Sequence, residues 1–456
     1  MVMGTSQEEN TGEVETTIPP NQPSDVSVSS SLKKGSEDVS LPPNENGPES
    51  APPAMHPQEG MRAWTVVAGA YCALFVSFGW INCIGVFQDY YQLHQLKNLS
   101  PSTVSWIPSL ESFMMLAGGP IFGGLFDSYG PRWPLLIGSL LHVFGLMMAS
   151  ISSEYYQFIL SQGICSPLGA SAVFFVATTS VATWFQKHRA LALGITASGS
   201  SLAGVIFPIM VERLIPRVGF GWAMRICAFL MLFLLVIANL TIRSRLHHHP
   251  RPIHVMDFIR PLGEGAFALT VTAAFLTFWG MFLPFTFVIL QAERYNVSAE
   301  LVPYLIPILN AASILGRTLP GYVADRIGRF NTMIVMSGFT AVVVLALWVP
   351  SRTSATSIIF SILYGFGSGA FISLSPAVVA QISDIRQLGI RSGTFFAVVS
   401  VAALTGNPIG GALLPNAQTG SYLRLQLFTG IVMLAGSMFF ILARGYIAGF
   451  NPRKKV

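Results

Sequence analysis

Between residues 63 and 446 the sequence is a succession of apolar runs about twenty residues long, separated by short polar breaks. A helix of that length, rising about 1.5 Å per residue, matches the roughly 30 Å hydrocarbon core of a bilayer. No water is available there, so each backbone N–H and C=O must find its partner within the protein, which a helix does segment by segment. Charge supports the same reading. Only 10% of the 456 residues are charged, against roughly 25% in a soluble domain. Residues 1–60 hold 10 of the 21 acidic side chains, so the remainder is poorer still.

The runs predict twelve spanning helices, at about 63–87, 103–126, 134–151, 157–183, 190–212, 222–242, 266–291, 301–323, 331–350, 356–380, 392–414 and 422–446. The expected layout is a disordered Pro- and Ser-rich tail over 1–60, a six-helix bundle over 61–242 and a basic linker over 243–265. A second bundle over 266–447 and a short tail over 448–456 complete it. Sixteen Lys and Arg residues fall on one side of these spans, including Arg62, Arg132, Arg189, Arg243, Arg251, Arg329, Arg391 and Arg453, and seven on the other. The excess places both termini and the linker in the cytoplasm. Sequons at Asn98 and Asn296 lie in loops of the opposite side, where glycosylation is expected, while a third at Asn239 lies at a helix end on the inner side.

Composition also excludes. The net charge of +5 comes from short clusters between apolar runs, with no basic, aromatic-interleaved face to track a phosphate backbone, so nucleic acid is not an expected partner. Cys72, Cys83, Cys165 and Cys227 all sit within apolar runs and read as packing residues. No Gly-x-x-x-x-Gly-Lys-Ser/Thr loop for ATP occurs, and no metal or cofactor site is expected. His247-His248-His249 in the linker fits a solvated basic loop better than a metal tract.

The two groups of six repeat one another. Predicted helix 2 ends in FGGLFDSYGPR and predicted helix 8 in PGYVADRIGR, both carrying Gly-x-x-x-Asp-x-x-Gly. Gly123, Asp127 and Gly130 recur as Gly321, Asp325 and Gly328, each at an offset of 198. A parallel repeat of six helices suits carriers that rock two halves about a central site. The repeated loop resembles the signature of the major facilitator superfamily, over about residues 61–446. Within it, Arg62-Ala63-Trp64, Phe78-Gly79-Trp80-Ile81-Asn82, Ser105-Trp106-Ile107 and WFQKHRALALGITASGSS over 184–201 are similar to the monocarboxylate-porter-like family, particularly its fungal branch. The resemblance implies an all-α fold of two six-helix pseudo-repeats. The chain departs from that family's proton–lactate carriers at Ser313, where they carry an Asp four residues before the Arg, and at Asn82, where they carry a Lys.

Arg317 is the sharpest candidate for binding solute. A guanidinium within a spanning helix is costly and normally faces a cavity or partner. Its planar fork suits a carboxylate, while a structural tie to neighbouring carbonyls is the alternative. Asn310, Ser313 and Arg317 form one stripe at i, i+3 and i+7. Asn82, Tyr364 and Asn407 complete the candidate substrate set, with Gln162 and Trp279 as further cavity residues. Glu111 is a carboxylate well inside a span and the candidate proton-coupling group. It lies about 12 Å from the outer end of its helix and Arg317 about 24 Å from the outer end of its own, so no direct salt bridge is expected. Asp127, Arg132, Asp325 and Arg329 are the candidate gate, and Gly194, Gly199, Ser200, Ser201 and Gly204 a small-residue packing face on helix 5.

These readings predict a monomeric secondary transporter in the plasma membrane. It would move a monocarboxylate or other small organic anion by alternating access, with protons as candidate coupling ion. The alternative is export of a fungal secondary metabolite. A membrane-embedded enzyme and a non-transporting nutrient sensor are the rivals from other classes.

Overall fold

The computed structural model of the protein describes residues 60–250, 252, 254–414, 420–449, 451 and 454–456. The disorder expected over 1–60 falls, Gly60 aside, outside the described residues, as do Arg251 and Arg453 of the charge tally. Among the described residues all regular structure is helical. Eleven helices are long and apolar enough to cross a membrane.

They are α1 (Met61–Cys83), α2 (Trp106–Tyr129), α3 (Arg132–Ala149), α4 (Tyr155–Trp184), a 53-residue helix (Arg189–Thr241), α7 (Gly265–Arg294), α8 (Val302–Ile327), α9 (Arg329–Trp348), α10 (Ser354–Gln381), α11 (Ile385–Leu413) and α12 (Leu423–Ala448). A straight helix of 53 residues would run about 80 Å, more than twice a bilayer core. Gly219 breaks it, with φ 79° and ψ 162°, a conformation essentially reserved for glycine. We therefore divide it into α5 (189–218) and α6 (220–241). Gly199 packs on Tyr71 while Thr241 packs on Gly69, so α5 and α6 meet the same turn of α1 and the chain doubles back at Gly219. Twelve passes result.

The loop expected at 213–221 is thus a correction. α5 keeps Pro208 and Pro216 within it, and its last turns carry the exposed Glu212, Arg213 and Arg217. Polar residues there mark a helix leaving the apolar layer, not a helix ending. After α1 the chain continues as a further helix, Ile84–Leu93.

The connection from α6 to α7 includes a short helical stretch, Met256–Ile259 then Arg260–Gly263. It marks what we call the linker end of the bundle. α1 packs along α5 and α6, α3 along α4, α7 along α12 and α8 along α10. Two further pairs join residues before the linker to residues after it: α2 with α11, and α5 with α8. These two seams position the candidate site.

Candidate functional site

The repeated Gly-x-x-x-Asp-x-x-Gly motif builds the same object twice at the linker end. Its first glycine permits close approach. A Cβ on Gly123 would sit 2.0 Å from the Gly389 carbonyl oxygen, and one on Gly321 2.7 Å from that of Ala190. Its aspartate then caps the helix that has come so close. Asp127 accepts from the N–H groups of Gly389 (2.9 Å) and Ile390 (2.8 Å) at the start of α11. Asp325 accepts from Ala190 (3.1 Å) and Leu191 (2.9 Å) at the start of α5. A carboxylate there satisfies orphan helix donors and sits at the positive end of the helix dipole. Its last glycine turns the chain, with φ 78° at Gly130 and 111° at Gly328.

Each turn is covered by the segment that follows the sixth or twelfth helix. His248 places Nδ1 3.2 Å from the Asp127 carbonyl oxygen and Nε2 2.8 Å from Ser244 Oγ, with its ring edge-on to Phe126. The linker histidines are therefore not all solvated, contrary to the sequence expectation. Burial pushes the His248 pKa down; the Asp127 carbonyl partly offsets this, and His247 and His249 add to the effect of burial. At the second turn Phe330 N–H donates to the Val456 oxygen (2.8 Å) and Asn331 to Lys454 O (3.2 Å).

The gate residues divide. Arg329 pairs with Asp325 at 3.1 Å and donates to Gln186 O at 2.8 Å. Arg132, at the start of α3, is exposed. Two arginines counted only as topology signals are buried among contacts at this end. Arg189 donates to Phe185 O (2.8 Å) and, across to α10, to Ala380 O (3.2 Å). Arg391 donates to Ile382 O (2.7 Å), pairs with Glu264 and lies over the Phe267 ring. Phe396 of α11 meets Phe174 and Phe175 of α4 just beyond. The linker end is closed.

The stripe on α8 forms, and it faces α5. Asn310 donates to Ile306 O (3.2 Å) and reaches Gly204 O (3.5 Å). Ser313 Oγ lies 2.7 Å from Ser201 Oγ, and Arg317 Nη1 donates to Ala197 O at 2.5 Å and to Ser200 Oγ. As the numbers rise along α8 they fall along α5, so the two helices run antiparallel and zip together through these groups. Asn82, half-buried, converges with Asn310 on Gly204. Arg317 is 3% exposed, and its Nε has no hydrogen-bond partner among the described residues. Beside its partners Ala197 and Ser200 lies a cavity of only about 10 Å³, also lined by Phe78 and Phe174, room for about one water.

Other candidates lie apart. Tyr364 is fully buried and donates to Met281 O (2.5 Å), tying α10 to α7. Asn407 accepts from Thr286 at 3.3 Å, between α11 and α7. Glu111, 2% exposed, accepts from Gln162 Nε2 (3.2 Å), whose Oε1 accepts from the Tyr91 hydroxyl (2.5 Å). Trp279 is half-buried against Phe275 and Phe428. Asn98 and Asn296 are exposed, whereas Asn239 bonds Ser139 Oγ (2.9 Å) inside the bundle and is unsuited to modification.

Comparison with known proteins agrees with this architecture. The profile of the Major Facilitator Superfamily matches residues 69–381 and 321–455. The chain is 53% identical over 404 residues to "MFS-type transporter 1" of Ophiocordyceps sp. (strain BCC 1869), covering 89% of this chain and 90% of that one. It is 44% identical over 418 residues to the "Fujikurins efflux protein" of Gibberella fujikuroi, covering 91% and 88%. The crystal structure of the human organic anion transporter MFSD10 (TETRAN) superposes with a TM-score of 0.67 at 15% identity, over 83% of this chain and 98% of that one, a likeness of fold alone. With the repeated motif, the twelve passes and these matches together, the chain belongs to the major facilitator superfamily of transporters.

Proposed function

We propose that this protein exports a small, acidic fungal secondary metabolite by secondary active transport. The direction of transport, left open by the sequence, is supported by relatives at 40–44% identity named as efflux proteins. The residues quoted above support placing it in the monocarboxylate-porter-like branch, with Ser313 and Asn82 setting it apart from that branch's proton–lactate carriers. Sixteen basic residues against seven support both termini facing the cytoplasm, in the plasma membrane.

One observation carries the mechanism: two Asp-capped closures, at α2–α11 and α8–α5, seal the same end of the bundle. Each holds backbone amides across the seam between the two six-helix groups, so parting that seam breaks both together. Opening unzips the Asn310–Ser313–Arg317 stripe from α5 and frees the Arg317 fork for an anionic group entering from the cytoplasm. Resealing returns Arg317 to Ala197 and Ser200 and releases the solute outward. Glu111 is the proton-coupling carboxylate. Deleting the gene from the organism that carries it should leave in the cells an acidic metabolite that the parent strain releases to the medium. Identical small-molecule profiles in medium and cells of both strains would count against export.

A further inference from the structure

α4 is not a regular helix. Ile159–Cys165 is a π segment, and its cause is readable. Pro167 has no N–H to give and would crowd the preceding turn, while Ser166 N–H bonds Ser161 O. The Gln162 carbonyl is thereby left without a donor from either residue. Single π turns of this kind recur at functional sites.

Two buried ionisable side chains, carried by two different helices, hold this segment. Glu111 of α2 holds it through Gln162. His142 of α3, 1% exposed, holds it through Ser166: Nδ1 lies 3.0 Å from Ser166 O and 2.9 Å from Ser166 Oγ. The other ring nitrogen, Nε2, lies 3.3 Å from Val76 O of α1. An ionisable side chain inside a span marks a functional site by default.

We propose that His142 is a proton-binding site, and that His142 and Glu111 together make the π segment of α4 the proton-responsive element of this transporter. The inference rests on the transport reading and names the regulation of its coupling. The partners fit both protonation states of the imidazole. Neutral, Nε2–H donates to Val76 O and the Ser166 hydroxyl donates to Nδ1. On taking a proton, Nδ1–H donates to Ser166 O, and the hydroxyl hydrogen turns back one helical turn toward the Gln162 carbonyl, which neither Ser166 N–H nor Pro167 supplies with a donor. Release reverses each movement, and one proton accounts for the whole step. Glu111 and His142 thus hold two residues of α4 four positions apart, Gln162 and Ser166.

The surroundings leave these groups to act. α4 brings the Cys165 thiol, which sits 3.7 Å from Leu141 O. α1 and its continuation bring Cys83 and Tyr91 toward Glu111. α6 carries Arg225 and Cys227, with Arg225 on Ser150, and α11 has Arg386 and Arg391 at the linker end. Among the described residues none of these groups hydrogen-bonds directly to His142 or Glu111.

Cys165 is the natural reporter. It borders a groove of about 420 Å³ with Phe144, Met148 and Leu160, which accommodates a trifluoroethyl label. With Cys72, Cys83 and Cys227 replaced by Ala, the reconstituted protein is labelled at Cys165 and followed by fluorine NMR from about pH 9 to about pH 3.5, a window wide enough for a buried carboxyl and a buried imidazole. The expected parent signal shifts in two steps. His142→Gln removes one step, and His142→Gln with Glu111→Gln removes both. Ser166→Ala keeps the histidine, deletes the donor to its neutral form and moves the histidine midpoint, the step lost in His142→Gln, to higher pH. A parent signal insensitive to pH overturns the proposal. So does a two-step titration surviving in His142→Gln, or an unmoved midpoint in Ser166→Ala. No solute is added, so a negative result leaves the export reading standing, and failed export leaves this titration standing.

Discussion

At the scale of single residues, the chemistry depends on what each polar group is bonded to. Arg317 is bonded to a backbone carbonyl and a hydroxyl of α5, with Nε unpaired and no carboxylate bonded to it among the described residues. The open state proposed above frees its fork for an anion. Arg317→Lys keeps the charge but loses the planar pair of donors, so it should fail nearly as badly as Arg317→Ala. Either change should cost about 2–5 kcal/mol in apparent solute affinity, read from half-saturation in vesicles. Normal half-saturation in well-expressed Arg317→Ala would remove the anion from the account. His248 is the residue where pH enters outside the membrane. Docked, it holds its proton more weakly than in water, so the undocked linker binds more protons. Docking is therefore strongest above about pH 6.5 and weakens as the pH falls below it. Hydrogen exchange over residues 243–250, corrected for intrinsic rate, should rise on acidification in the parent. It should stay flat in His248→Phe, which keeps the contact with the Phe126 ring. Identical pH profiles in the two proteins would show that the histidine is not the sensor.

At the scale of elements, Gly219 decides whether residues 189–241 make one pass or two. Gly219→Ala places a Cβ at φ 79°, ψ 162°, a strain of about 1–3 kcal/mol. Thermal unfolding in detergent should fall accordingly, while Gly263→Ala, at a glycine with nothing around its Cβ, should leave it near the parent value. Equal melting for both would mean the break tolerates any residue. The sequence announced the spans because apolar runs of bilayer length have few other fates, and it announced the Gly–Asp–Gly motif because each copy certifies the other. The partners of those aspartates were not legible. They are backbone amides of Ala190, Leu191, Gly389 and Ile390, and backbone carries no signature in the residue names. For the same reason the tie from the Tyr364 hydroxyl to the Met281 carbonyl was not legible either. The helix over 213–218 was missed because Glu212, Arg213 and Pro216 resemble a loop in letters alone.

At the scale of the whole molecule, the two halves meet through contacts that repeat with the sequence and close one end. Asp127 and Asp325 each accept two backbone N–H groups across the seam, one through each oxygen. Asparagine can supply only one acceptor oxygen and turns an NH₂ against the second donor. Each Asp→Asn change should weaken the closed state by about 1.5–3 kcal/mol, the worth of a charge-assisted hydrogen bond. The two together should bring an open population into view. Spin labels at the exposed Tyr129 and Arg386 span the α2–α11 closure, and labels at Lys187 and Arg326 span α5–α8. Pulsed electron-spin distance measurement on the reconstituted protein tests the central claim. The account predicts one short distance for each pair in the parent. In Asp127→Asn with Asp325→Asn, it predicts a second, longer distance that appears at both pairs together. Distances that stay single and short in the double variant, or that lengthen at one pair alone, would contradict a gate built from two coupled closures.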